Sequence, residues 1–300
     1  MSKVLFCIFT CNRFFYFKNC LDSIREFEDQ NEIDILVCDN CSIETVYSDY
    51  LQEMSMVDNI KVKRFSDRTR GELYRAMNYA VKYAKKKGYE FINFVQDDYQ
   101  YLYKRDSSIP EIIDLFNNNA RIVQVNNNLA WKRKADRMGS LLHLQSKGTN
   151  YVILSDKRPC DNGFTRVAAY DRLGEYPVEA ISWGEGKDRY KNKLNGEVWF
   201  GRSCHKLKWS RAVTLMPNVT MMMDCAFVRG GVRRGRYFEP PEKYYIKPLE
   251  ESQIEKISSR AKKKKFSFIE DRGKPWGWKP ETLGKHSESN SEVIVDPDFK

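Results

Sequence analysis

The sequence predicts an α/β fold with a mostly parallel central sheet and helices on both faces. Three observations lead there: short unbroken apolar runs, stretches of helical spacing between them, and polar clusters placed immediately after several of the runs. An unbroken apolar run fits a strand covered on both faces, and strands alternating with helices make βαβ units whose strands lie parallel.

Val4 to Phe9 is the first such run, followed by the polar turn Thr10-Cys-Asn-Arg13 and a predicted helix from Phe15 to Phe27. Met1-Ser-Lys before an apolar run has the look of a signal peptide, but Thr10, Asn12 and Arg13 break it and no small-residue cleavage site follows. Ile33 to Cys38 is the second strand and ends on Asp39-Asn-Cys-Ser42; a helix through Val46 to Met54 and a strand from Ile60 to Phe65 come next. Gly71 to Lys87 reads as a helix, because Leu73, Met77, Ala80 and Ala84 recur at spacings of three and four and Gly88 stands at the C-terminal cap. Phe91 to Val95 is a strand running into Gln96-Asp97-Asp98, Pro110 opens a helix through Phe116, and Ile122 to Val125 is a further strand.

After about Ala130 the pattern loosens. Asn162 to Tyr176 and Ser182 to Leu194 read as loop-helix units, and Trp199 to Asp224 as mixed strand and loop. From Glu250 the chain is charged and turn-rich, with four lysines at Lys262 to Lys265, and Lys285 to Lys300 is expected to be mobile. The expected organisation is one domain with a first half (1–130) and a second half (131–248), followed by a charged C-terminal extension (249–300). No physical role emerges for 131–161.

Three hundred residues allow one large α/β domain or two small ones, and 41% hydrophobic with 13% aromatic residues excludes global disorder. A net charge of +10 points to anionic partners: a nucleotide diphosphate, anionic lipid headgroups or nucleic acid. No stretch approaches the roughly 18–20 apolar residues of a membrane span, so a cytoplasmic chain is expected, with room for peripheral contact at the inner face of a membrane. The eight cysteines form no regular framework and are expected as reduced thiols. Cys7, Cys11, Cys38 and Cys41 would offer four thiolates to zinc if two neighbouring strands brought them together, but Cys7 and Cys38 lie in apolar runs, where cysteine acts as a small hydrophobe.

In open parallel sheets ligands bind at the carboxyl ends of strands. That rule draws Thr10 to Arg13, Asp39 to Ser42 and Gln96 to Tyr99 to one edge. The residues Val4 to Arg13 with Asn19 to Ile24, then Asp34 to Ser42, Ala76-Met-Asn78, and Phe91 to Asp98 resemble, in order and spacing, family 2 glycosyltransferases. The resemblance implies the Rossmann-like GT-A fold, a nucleotide-diphosphate sugar donor and inversion at the anomeric carbon.

It also implies roles. Asp39 would accept the base N–H of the donor, typically uracil; its bland alternative is a turn-capping Asp. Cys41 stands where the family has glycine, and a cysteine tolerates positive φ poorly, so a different turn is expected there. Thr10, Asn12, Arg13, Gln96 and Asp97 would line the donor site, with Gln96 in place of the acid that contacts ribose. Arg68 and Arg70, ahead of the long helix, suit an anionic group at a helix N-terminus or simply a solvated loop. Asp98 matches the position that holds a divalent metal, manganese or magnesium, completed by substrate phosphates. Glu185 is the preferred general base for the acceptor hydroxyl, with Asp188 as substitute, against a reading of both as helix-capping acids. His205 would join the metal, although a lone histidine is more often structural. Trp183, Trp199 and Trp209 suit either sugar stacking or core. Arg229 to Arg236 is an arginine–glycine loop suited to diphosphate, anionic lipid or RNA.

The partners expected are therefore a nucleotide-sugar donor, expected as UDP-linked and bound by the half 1–130, and a hydroxyl acceptor that is a glycan, a lipid-linked sugar or a protein, bound by the catalytic half 131–248. Two other readings stay open at this point. A nucleotidyltransferase shares the sheet and the carboxylates, but Thr10 to Arg13 lacks its glycine-rich loop. A non-catalytic carbohydrate- or RNA-binding member of the fold would use the positive charge, yet no nucleic-acid signature accompanies it.

Overall fold

A computed structural model describes residues 4–11, 14–42, 45–66, 72–101, 108–127, 142–146, 149–154, 163–178, 196–214, 219–221, 269–270 and 274–275. Its centre is a parallel block. β1 (Val4–Thr10) pairs in parallel with β2 (Ile33–Asp39) on one side and β4 (Phe91–Gln96) on the other, and β2 pairs in parallel with β3 (Ile60–Arg64).

Strand periodicity divides the side chains between two cores. Val4, Phe6 and Ile8 of β1 face one core, shared with Phe17 and Leu21 of α1 (Phe14–Phe27), Tyr47 and Leu51 of α2 (Thr45–Met54), and Ile112 and Phe116 of α4 (Ser108–Asn118). Leu5, Cys7 and Phe9 face the opposite core, built with Met77, Ala80 and Ala84 of α3 (Glu72–Lys87) and with Phe200 and Cys204 of α6 (Gly196–Lys206). Each fully buried Leu, Ile or Phe contributes about 1.5–3 kcal/mol, so burial on both faces explains why β1 carries no polar residue before Thr10.

The long helix α3 ends as its sequence demands. Gly88 has φ 77°, its N–H donates to the Lys85 carbonyl and that of Tyr89 to the Ala84 carbonyl, which closes a Schellman cap. Lys85, Lys86 and Lys87 in the last turn complement the helix dipole.

Beyond residue 127 the sheet is assembled out of sequence order. The full nine-stranded sheet runs β3-β2-β1-β4-β9-β6-β10-β8-β7, with β6 at Ile122–Asn126, β7 at Leu142–Ser146, β8 at Thr149–Leu154, β9 at Gly163–Arg166 and β10 at Ser210–Thr214. β9 is antiparallel to both β4 and β6, β10 is parallel to β6, and the β7–β8 hairpin joins β10 antiparallel. All strands except β8 and β9 therefore point the same way, a mostly parallel sheet in the sense predicted. Short strands β5 (Tyr99–Tyr101) and β11 (Val219–Met221) form a separate antiparallel pair, as do β12 (Ile269–Glu270) and β13 (Lys274–Pro275).

Three elements differ from the sequence reading. Residues 163–166 form a strand in the middle of the sheet, ahead of a 3-10 turn (Val167–Ala169) and the single-turn helix α5 (Tyr170–Leu173), where a loop-helix unit was expected. Four residues carry too little periodicity to declare a strand. Gly163 permits it: its φ is 106°, and a Cβ there would lie 2.9 Å from the Val125 carbonyl oxygen. Gly196–Lys206 is a helix where strand and loop were expected, held by Phe200 and Cys204 four residues apart on its buried face. The β7–β8 hairpin was not anticipated. The expected unit at Ser182 to Leu194 and the C-terminal extension's lysine run lie outside the described residues.

Candidate active site

The ladder of the parallel block continues one residue past its strands. The Asn40 N–H donates to the Thr10 carbonyl at 2.8 Å, that of Asp97 to the Phe9 carbonyl at 3.2 Å, and that of Phe65 to the Asp39 carbonyl at 2.9 Å. In this register Thr10 lies beside Asp39, and Phe9 beside Gln96. Three sequence-distant polar ends thus meet at one edge, as the strand-end rule requires.

A pocket of 250 Å³ opens there, close to the lower end of the roughly 300–1,000 Å³ usual for small-molecule sites. β1 and its turn supply Phe9, Thr10 and Cys11; β2 and its turn supply Cys38 and Asn40. The end of β4 supplies Gln96 and Asp97, and the first turns of α3 supply Leu73 and Ala76. The pocket is apolar on its α3 side and polar along the strand ends.

The β4 end carries the chemistry of oxygen ligands. Asp97 and Asp98 are both buried, at 4% and 1% exposure, in the turn between β4 and β5. The Asp97 carboxylate accepts a hydrogen bond from the Thr10 hydroxyl at 3.2 Å, and Thr10 also meets the hydroxyl of Tyr47, which is buried on α2. The Cys20 thiol of α1 donates to the Gln96 carbonyl at 3.6 Å. Burial pushes that thiol well above its ordinary pKa, and the nearby Asp97 and Asp98 carboxylates raise it further.

The β2 end is built differently. Asp39 is fully buried and does not line the pocket. Its carboxylate accepts from the Ser42 N–H at 3.3 Å, from the Ser42 hydroxyl at 2.5 Å and from Arg64 Nε at 3.0 Å. Arg64, at the end of β3, also donates to the Ser42 carbonyl at 2.7 Å and to the Ser48 hydroxyl at 3.2 Å. Three protein donors thus engage this carboxylate, and Asn40 and Cys38 are what the pocket sees.

The expected change of turn at Cys41 is corrected. Cys41 adopts φ 57°, the left-handed conformation that glycine provides elsewhere, with its thiol 3.8 Å from the Ser66 carbonyl. The loop shape is kept because the Asp39–Ser42–Arg64 network fixes both its ends, at a local cost of roughly 1–2 kcal/mol.

His205 sits exposed in the last turn of α6, next to Cys204, which faces the core. Among the described residues no three His, Cys, Asp or Glu side chains gather as a metal site, so His205 does not join Asp97 and Asp98. Its place suits a side chain that complements the C-terminal end of a helix. The same observation removes the four-cysteine zinc arrangement: Cys7, Cys11, Cys38 and Cys41 are free thiols, and burial pushes the Cys7 and Cys38 thiols up. Trp199 packs against Tyr176, with centroids 4.8 Å apart, and Trp209 lies under the Arg172 guanidinium, so both belong to the core side.

Asn12, Arg13, Arg68, Arg70, Trp183, Glu185, Asp188 and the arginine–glycine loop 229–236 lie outside the described residues. Arg64 and Tyr47 were missed by sequence reasoning. Arg64 was within reach of the strand-end rule, since it closes β3 at the same edge; Tyr47 gave no signal, because its partner is 37 positions away.

No helix among the described residues is long and apolar enough to cross a membrane. Among curated proteins none matches this sequence. Among solved structures the chain is similar to TarS of S. aureus, at 14% identity and a TM-score of 0.51, over 89% of this chain and 44% of that one. It is similar to S. aureus TarS 1–349 in complex with UDP-GlcNAc, at 16% identity and a TM-score of 0.50, over 89% and 74%. It is likewise similar to GalNAc-T7 with UDP, GalNAc and Mn2+, at 11% identity and a TM-score of 0.53, over 74% and 44%. The chain thus spans less than half the length of TarS and of GalNAc-T7, and at these identities the likeness establishes the GT-A fold. The sequence profile described as glycosyl transferase family 2 matches residues 6–159, half of the chain. With that match over the strands that build the pocket, the chain belongs to glycosyl transferase family 2 and carries that family's glycosyltransferase domain.

Proposed function

We propose that this glycosyltransferase moves a sugar from a UDP-linked donor to a hydroxyl acceptor, a glycan, a lipid-linked sugar or a protein, with inversion. The observation that carries the proposal is the pocket at the ends of β1, β2 and β4, walled by the first turns of α3. Nucleotide sites of doubly wound sheets fall at such an edge, and the N-terminal turns of a helix favour an anionic diphosphate. The solved relatives bound to UDP and to UDP-GlcNAc support uracil as the base.

In this reading the base enters against Cys38 and Asn40, while Asp39 holds the loop beneath them. A base N–H reaches Asp39 only by sharing it with Arg64, whose side chain is 43% exposed and has room to turn. Thr10 and Gln96 face the ribose and Asp97 the phosphates, with Asn12, Arg13, Arg68 and Arg70 placed by sequence near the same anion.

The Asp97–Asp98 turn fits a hard divalent cation, manganese or magnesium, by the chemistry of its donors: two adjacent carboxylates, completed by donor phosphates. Asp98, with Asp97, would hold it; a bound cation supplies charge neutralisation to the departing diphosphate. The solved relative containing Mn2+ supports the choice of metal. Glu185, or Asp188 in its place, takes the proton of the acceptor hydroxyl as it attacks from the opposite face of the sugar. Peripheral membrane contact through the basic segments suits a lipid-linked acceptor.

The test is the melting temperature with UDP, GDP, ADP and CDP, each with and without manganese. A ligand at one hundred times its Kd stabilises the native state by about 2.7 kcal/mol. A manganese-dependent rise with UDP, and UDP release from a UDP-sugar, are the expected results; no response to any nucleotide would overturn the proposal.

A further inference from the structure

Asn78 was part of the motif that carries the family resemblance, yet it is not in the pocket. It is buried on α3, two residues beyond Ala76 and five beyond Leu73, which both line the pocket. Its side-chain amide makes two reciprocal hydrogen bonds to one backbone residue 98 positions away. Nδ2 donates to the Tyr176 carbonyl at 2.9 Å, and Oδ1 accepts from the Tyr176 N–H at 2.7 Å. An amide side chain carries a donor and an acceptor side by side, so it satisfies a backbone carbonyl and N–H together.

Tyr176 is fixed in every other respect as well. Its ring stacks on Tyr74 of α3 at 5.9 Å and on Phe200 of α6 at 6.2 Å, and its hydroxyl meets that of Tyr170 at 3.1 Å. Gly196, which opens α6, lies against the same Tyr74 ring, so closely that a Cβ there would fall 2.2 Å from the ring. The chain therefore leaves α3 at Tyr176 and returns to it at Gly196, and both ends of the intervening stretch rest on one tyrosine. That stretch contains Glu185 and Asp188. The residue before Tyr74, Leu73, is part of the pocket wall.

We propose that Asn78 is a positioning residue for transfer: by clamping the Tyr176 backbone to α3 it fixes where the acceptor-side stretch starts relative to the donor pocket. The inference rests on the proposed function only for the chemistry, since the clamp itself is a matter of hydrogen bonds. A misplacement of about 1 Å far from the reacting atoms can cost 100-fold in rate, so a clamp that leaves donor binding alone can still govern turnover.

The experiment compares wild type with Asn78→Ala, which loses both bonds, and Asn78→Asp, which keeps the acceptor and loses the donor. Three quantities are read: UDP affinity by calorimetry with manganese, the rate of UDP release from UDP-glucose, UDP-galactose and UDP-GlcNAc, and amide exchange over residues 170–178. The expected result is unchanged UDP affinity, release slowed about 100-fold in Asn78→Ala and less in Asn78→Asp, and faster exchange at 170–178. Loss of UDP affinity in both variants would overturn the proposal, because the clamp would then support the donor half as a whole. Unchanged release and unchanged exchange would overturn it too. If wild type releases no UDP from any sugar, the transferase reading fails and exchange at 170–178 alone decides whether the clamp positions the chain.

Discussion

The ends of β2 and β4 each present aspartate at the same edge of the sheet, and they use it in opposite ways. At β2, Asp39 is spent on structure: Ser42 and Arg64 engage its carboxylate, and the loop it holds is rigid enough to keep Cys41 at φ 57°. At β4, two neighbouring buried carboxylates are crowded into one turn, with the Thr10 hydroxyl on Asp97. Adjacent like charges away from water oppose folding unless a cation joins them. One strand end carries a carboxylate engaged by protein donors; the other carries two buried carboxylates side by side. Position at a strand end therefore marks a site but does not say which of its carboxylates acts.

Four substitutions break or sharpen this contrast. The largest effect is expected from Asp98→Ala, which should lower manganese-dependent UDP release by about 100-fold or more while leaving the melting temperature near that of wild type, since it removes one of two like charges. Full activity in this variant, followed by UDP release, would end the assignment of the β4 turn to the metal. Asp39→Ala should do the reverse in kind. Denaturant unfolding should show a loss of about 2 kcal/mol, because the Ser42 amide and hydroxyl and the Arg64 guanidinium lose a charged partner. Arg64→Ala should cost less than that, since its exposed guanidinium is screened by water. If Asp39→Ala were as stable as wild type, the β2 end would not be structural. The smallest effect belongs to Cys41→Gly, which should raise stability by about 0.5–1 kcal/mol by relieving the left-handed strain; a decrease in unfolding free energy would mean the Cys41 thiol contributes more than its backbone costs.

The same division explains what could be read from the chain. The parallel block was legible because β1 and β2 are mostly apolar runs closely followed by helices, and the helical spacing of α3 separates β3 from β4. Even the cap at Gly88 followed from one glycine. β9 was not legible: its four residues lie between β4 and β6, and only pairing partners 39 or more positions away make them a strand. The site divides likewise. Thr10, Gln96 and Asp97 line the pocket as expected, while Asp39 is withdrawn from it by Arg64, and His205 is carried to the exposed end of a helix that the sequence did not announce.

The sequence by itself determined the parallel block, the edge where its polar ends meet, and the family, because periodicity and strand order are local properties that survive without a partner. Tertiary structure decided that Ser42 and Arg64 engage Asp39 while Asp97 lines the pocket, how β9 enters the sheet, and that Asn78 holds Tyr176. Those outcomes depend on hydrogen bonds and ring contacts between residues tens of positions apart, and a side chain's free acceptor is fixed only when every neighbour that might satisfy it has been placed.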